Sequence, residues 1–100
     1  MAEVFKSATF DRWLRRLKDR AAVQRINARI ERLAAGNPGD VKPVGDSVSE
    51  LRLTYGPGFR VYYMQCGACV VVLLCGGDKS TQSADIARAK HIAQQWRDEP

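Results

Sequence analysis

The strongest constraint on this chain is a change of period in its second half. Residues 50–75 read ELRLTYGPGFRVYYMQCGACVVVLLC. Up to Gln65 apolar and polar positions largely alternate, the two-residue repeat of a strand with one buried face. In the first segment Leu51, Leu53 and Tyr55 fall on one side, and Glu50, Arg52 and Thr54 on the other. In the second, Phe59, Val61 and Tyr63 oppose Arg60, Tyr62 and Met64. Gly56-Pro57-Gly58 is a turn signal, CGA (66–68) turns the chain again, and CVVVLLC is apolar on both faces, as a central strand is. If Tyr55 faces Phe59 across the first turn, Thr54 faces Arg60 and Arg52 faces Tyr62. Arg52, Thr54, Arg60 and Tyr62 then share one sheet face, because cross-strand partners do. The expectation is a sheet with one oily face against helices and one basic face open to a polyanion.

Upstream the period lengthens. EVFKS (3–7) reads as a first strand, with Ser7 or Thr9 capping a helix whose Phe10, Trp13, Leu14 and Leu17 repeat at helical spacing. A second helix runs from about Asp19 to Ala35 with a seam of Val23, Ile26, Ile30 and Leu33, and GNPG (36–39) ends it. Arg12, Arg15, Arg16, Arg20, Arg25, Arg29 and Arg32 lie mostly off these seams, so the hairpin has an oily side and an arginine-rich side. Residues 40–49, with Pro43 and Gly45, read as a loop. QSADIARAKHIAQQW (82–96) reads as a final helix capped by Ser80 or Thr81 and packed through Ala84, Ile86 or Ala87, Ile92 and Trp96. The order β-α-α-β-β-β-α predicts one α+β domain over residues 1–100, with an antiparallel sheet of about four strands, an N-terminal helical hairpin and a C-terminal helix.

Composition narrows the partners. A net charge of +5 on 100 residues and a pI near 9.4 suit a polyanionic partner. Three cysteines form no complete disulfide framework, no apolar leader opens MAEVFKSATFDRW, and CVVVLLC is too short to span a bilayer; the expectation is a cytoplasmic domain with no membrane partner. Cys66-Gly67-Ala68-Cys69 has C-x-x-C spacing, but it flanks a turn between strands rather than a helix N-terminus. Only Cys75 and a distant His91 remain to complete a zinc set, so neither redox use nor a metal is expected, and no cofactor.

The pattern ELRLTYGPGFRVYY, followed by VVVLLCGGDKSTQSADIARAK and preceded by a helical hairpin, resembles the RelE/ParE superfamily of bacterial toxins, in its HigB-like addiction module killer branch. The resemblance implies the toxin of a type II toxin–antitoxin pair. Such toxins typically are endoribonucleases that cleave mRNA in the ribosomal A site. The ribosome, mRNA and a cognate antitoxin, often a helix-turn-helix protein, are the implied partners, with operator DNA reached only through the antitoxin. The same fold carries ParE-like toxins that inhibit DNA gyrase, which is the alternative. Arg60 matches an arginine that RelE-type toxins carry on this strand, Arg52 a basic position of the preceding strand, and Lys79 a basic residue just beyond the last one. Unlike the better-known members, this chain has no tyrosine after Lys79 and no histidine there until His91.

Metal-independent RNA cleavage sends the ribose 2′-hydroxyl against the adjacent phosphate. It needs a base for that hydroxyl, a proton donor for the leaving 5′-oxygen, and positive charge on the phosphorane. Arg52 and Arg60 suit the charge role through planar, permanently charged guanidiniums. Lys79 adds to it or, among arginines, acts as the base. Asp78 is an alternative base, and Tyr62 a candidate proton donor or stacking platform for a base. GGDKST lacks phosphate-loop spacing. Its glycines are expected to end the central strand and admit close approach of backbone or RNA, with Ser80-Thr81-Gln82 launching the last helix.

Overall fold

A computed structural model describes residues 1–98. The elements are β1 (Glu3–Lys6), α1 (Ala8–Arg16), α2 (Arg20–Ala34), β2 (Val41–Gly45), β3 (Val48–Arg52), β4 (Arg60–Cys66), β5 (Val70–Gly77), a 3-10 turn (Lys79–Thr81) and α3 (Gln82–Asp98). They form one five-stranded sheet in the order β1-β5-β4-β3-β2. The expected α+β architecture, helical hairpin and final helix are present.

The sheet is one strand larger than expected and is mixed. β1 lies parallel to β5, while the other pairs are antiparallel. The added strand is β2, in the segment read as a loop. Pro43 is tolerated because β2 is an edge strand, and a register shift follows between Pro43 and Gly45. The hairpin turn to β3 is built by Asp46 and Ser47, both at positive φ (55° and 62°). A two-residue turn of this kind normally announces itself by Asn-Gly or Asp-Gly, and neither is there to be read.

Capping explains the helical hairpin. Ser7 accepts from the Phe10 amide and its hydroxyl donates to the Leu74 carbonyl at 2.5 Å, fixing α1 to β5. Asp19 caps α2 by accepting from the Ala22 amide. The hairpin buries Phe10, Ile26, Ile30 and Leu33 against Leu51, Val61, Tyr63 and Leu73 on one sheet face. Val23, expected in that seam, is only half-buried, and Ala22 takes its place.

The opposite face is where the structure departs most from expectation. It is not open. α3 lies across it and encloses Tyr62, Val48, Met64, Val72 and Leu74 with Ala89, Ile92 and Ala93. The buried positions of α3 are Asp85, Ala89, Ile92 and Ala93, whereas Ala84, Ala87 and Trp96 are exposed. Small residues on the contact stripe let the helix sit close to the sheet, so the large side chains are not the packing ones. The register between β3 and β4 also differs, pairing Arg52 with Arg60 and Glu50 with Tyr62. That is a shift of two residues, which preserves faces. Leu53–Phe59 becomes a wider loop, closed by the Leu53 amide on the Phe59 carbonyl and held by glycines at positive φ.

Candidate functional site

At one end of the sheet the α3 face opens to solvent. There the last residue of β3, the first of β4 and the segment after β5 come together around an open cleft of about 590 Å³. Arg52, Arg60 and Lys79 line it with Asp40, Thr54 and the 56–58 loop. Pairing explains the convergence: Arg60 is the partner of Arg52 on one side and of Gly77 on the other, two residues before Lys79. The Lys79 stem passes over Gly58, where an added Cβ would stand 3.1 Å from Lys79 Cγ and 3.4 Å from Arg60 Nη1. Gly58, at φ +80°, is therefore required both by the turn and by this crossing.

The three cations differ in access. Lys79 is exposed and the Arg52 side chain is 36% exposed, but that of Arg60 is only 7% exposed. Arg60 Nη1 donates to the carbonyls of Gly58 (3.0 Å) and Phe59 (3.3 Å), holding the loop. Beneath both arginines lies Glu50, fully buried. Its Oε1 stands 3.4 Å from Arg52 Nε and 3.8 Å from Arg60 Nε. Its Oε2 accepts from the Tyr62 hydroxyl (2.9 Å) and Gln82 Nε2 (2.8 Å).

Two expected proton-transfer residues are placed elsewhere in the chemistry. Tyr62 has no exposed surface, and burial, reinforced by its bond to Glu50, pushes its phenol far above the ordinary range. It can neither stack on a base nor give up its proton at the cleft. Asp78 caps the 3-10 turn, accepting from the Ser80 hydroxyl and amide, and these bonds hold its carboxyl below its usual value. It is absent from the cleft lining. Of the five sequence candidates, Arg52, Arg60 and Lys79 are gathered at the cleft; Tyr62 and Asp78 are held in structural bonds beside it.

Residues 12–97 match the family model described as Phage derived protein Gp49-like (DUF891). The chain belongs to that family. It is also 50% identical over 93 residues to an uncharacterized protein of Haemophilus influenzae, a match covering 93% of this chain and 94% of that one. The Gp49-like family is associated with addiction-module killer proteins.

In this Gp49-like chain the glycine pair that ends β5 serves packing, not approach by a ligand. A Cβ on Gly76 would run into the Trp13 ring, and one on Gly77 into the Asp85 carboxylate. Asp85 is buried and accepts from Thr81 Oγ1 at 2.5 Å, which locks the start of α3 over the strand end.

Sequence reasoning missed Glu50, Gln82 and Arg29. Glu50 had a signal, since period two places it on the Arg52 side of its strand, but that face was expected to be open and basic, and the acid on it was given no role. Arg29 looked like one more helical arginine. It is a peg: Nη1 donates to the Arg52 carbonyl at 2.6 Å and Nη2 to those of Pro38 (3.0 Å) and Asp40 (3.2 Å), fixing the backbone beside the cleft. Arg25, Arg29 and Arg32 line a smaller depression of about 280 Å³ that meets the cleft at Leu53 and Thr54.

Cys66 and Cys69 are free and exposed about the turn at the far end of β4. Among the described residues no three His, Cys, Asp or Glu side chains gather as a metal-holding group, and no helix is long and apolar enough to cross a membrane.

Proposed function

We propose that this chain is the toxin of a type II toxin–antitoxin pair, a HigB-like member of the RelE/ParE superfamily, and that it cleaves mRNA, in the ribosomal A site. The observation that carries the reading is the convergence of Arg52, Arg60 and Lys79 on one cleft at the end of the sheet. The family's association with addiction-module killer proteins agrees with it and makes an antitoxin the natural partner.

In the proposed reaction the 2′-oxygen bonds to phosphorus as the P–O5′ bond breaks, leaving a 2′,3′-cyclic phosphate and a 5′-hydroxyl. Arg52 and Lys79 touch the phosphate, because they are the accessible cations, and Arg60 acts from beneath through its charge and its hold on the 56–58 loop. A base takes the 2′-hydroxyl proton and an acid protonates O5′. Lys79 would serve one of these transfers, while Tyr62 and Asp78, held in bonds of their own, would serve neither. The shelf of Arg25 and Arg32 extends the positive surface along which the RNA backbone would continue.

The test is expression in growing cells with mapping of transcript 5′ ends. Cuts within translated messages support the reading, and their loss in Arg52→Ala and Lys79→Ala assigns it to the cleft. Intact messages with arrested growth would sink it. One observation favours the second reading, a ParE-like inhibitor of DNA gyrase: Arg60 is nearly buried and its Nη1 is taken up by the Gly58 and Phe59 carbonyls. Stoichiometric inhibition of supercoiling without RNA cleavage would establish that reading instead.

A further inference from the structure

We propose that Glu50 is the positioning residue of the cleft, setting the direction of the Arg52 and Arg60 guanidiniums from below. Its catalytic consequence rests on the nuclease reading above; its structural content does not. The side chain is 1% exposed, so no substrate touches it. Tyr62 on β4 and Gln82 at the start of α3 both donate to Oε2, which anchors the carboxylate from two elements. Oε1 is left without a hydrogen-bond partner, and so is the buried Nε of Arg60, 3.8 Å away. The pairing of Glu50 with Tyr62 and of Arg52 with Arg60 stacks this arrangement on one face of two adjacent strands.

Stability alone does not explain the carboxylate. Burying the Glu50 and Arg60 charges costs desolvation that well-packed apolar residues avoid, and such swaps are often neutral or stabilising. A buried acid also subtracts positive potential from a cleft suited to phosphate. What it adds is direction. A guanidinium is a rigid fork, and drawing its Nε edge toward Glu50 turns the opposite Nη edge away from the acid. For Arg52, the more exposed of the two, that edge is left for phosphate.

The experiment follows the arginine Nε–Hε signals in 15N-labelled protein. Glu50→Gln keeps size and shape while replacing the facing oxygen's charge, and Gln82→Ala, at the half-buried start of α3, removes one anchor and leaves the charge. With either variant folded by circular dichroism, the Arg60 and Arg52 signals move. Their hydrogen exchange quickens about tenfold in Glu50→Gln and less in Gln82→Ala. Unchanged arginine signals in a folded variant would overturn the proposal. Cleavage of programmed ribosomes adds the second readout: Glu50→Gln lowers kcat about tenfold or more with KM little changed. Reduced melting temperature with kcat and arginine signals intact would make Glu50 merely structural. If the wild-type protein cleaves no RNA, the nuclease reading fails while the spectroscopic arm still decides Glu50.

Discussion

Gly77→Ala is the most informative single methyl group that can be added to this protein. Gly77 does not occupy the left-handed region, so alanine meets no backbone penalty there, and the whole cost is steric. The new Cβ collides with Asp85 Oδ2 and would stand 2.8 Å from Asp85 Cγ and 2.9 Å from Thr81 Oγ1. Overpacking costs about 1–3 kcal/mol, and disrupting the part-buried Thr81–Asp85 bond adds about 1–2 kcal/mol. A loss near 3 kcal/mol lowers the melting temperature by about 10–20 °C in a domain this size and the urea midpoint by more than about 1 M at unchanged m. Two companions isolate the cause. Gly67→Ala has open space around it but φ +70°, so it costs only backbone strain, about 1–2 kcal/mol. Asp85→Ala in the Gly77→Ala background removes the colliding carboxylate, so the double variant loses at least about 1 kcal/mol less than the sum of the singles. Urea unfolding of the wild type, the three single variants and the double variant measures this. Additivity within about 0.5 kcal/mol, or a Gly77→Ala protein as stable as wild type, would refute the packing argument.

Tyr62→Phe should cost about 1–2 kcal/mol in urea unfolding by removing one donor to Glu50, yet retain measurable cleavage; complete loss of cleavage with the fold intact would return the phenol to the chemistry. At pH 8 iodoacetamide should label Cys66 and Cys69 quickly and spare Cys75, whose thiol burial and the nearby Asp85 charge push up to about 12, and mass spectrometry of the native protein counts the labels. Asp78→Ala should cost about 1 kcal/mol at pH 7 as a lost cap. Because the Asp78 carboxyl lies below its usual 3.8 in the folded protein, that difference from wild type persists above 3.8 and fades as pH falls through its own lower value, as acid-range melting curves would record.

The sheet and the helical hairpin were legible because each rests on local repetition: period two over residues 50–65, helical spacing through Phe10, Ile26 and Ile30, a cap at Ser7 or Thr9 and a helix start near Asp19. β2 was hidden because an edge strand carrying Pro43 has neither clean alternation nor an apolar face, and its turn uses Asp46 and Ser47 where glycine would have been the sign. Arg52 and Arg60 were legible by parity, which survived a two-residue error in register, whereas Lys79 came only from the family resemblance. Their surroundings were not. Period two reports which residues share a face, but it is silent on what covers that face, and α3 covers it with alanines whose weak amphipathic signal gave no warning. Tyr62 was therefore read as a proton donor or stacking platform, and Glu50 was given no role.

This covering changes how loss of activity should be interpreted. Arg60→Ala removes a cation from the cleft, but it also leaves Glu50 with a half-exposed Arg52 as its remaining ionic partner and frees the Gly58 and Phe59 carbonyls. Breaking one side of a buried ion pair costs about 3–5 kcal/mol, against a total of about 5–15 kcal/mol for a domain. An inactive Arg60→Ala protein is then as consistent with an opened loop as with lost chemistry. Lys79 carries no such ambiguity: it is exposed, it makes no ion pair or hydrogen bond through its side chain among the described residues, and its stem crosses a glycine. Lys79→Ala should leave the unfolding free energy within about 0.5 kcal/mol of wild type while cleavage falls. That pairing of unchanged stability with lost cleavage would tie activity to the cleft itself, and equal cleavage by the two proteins would remove Lys79 from it.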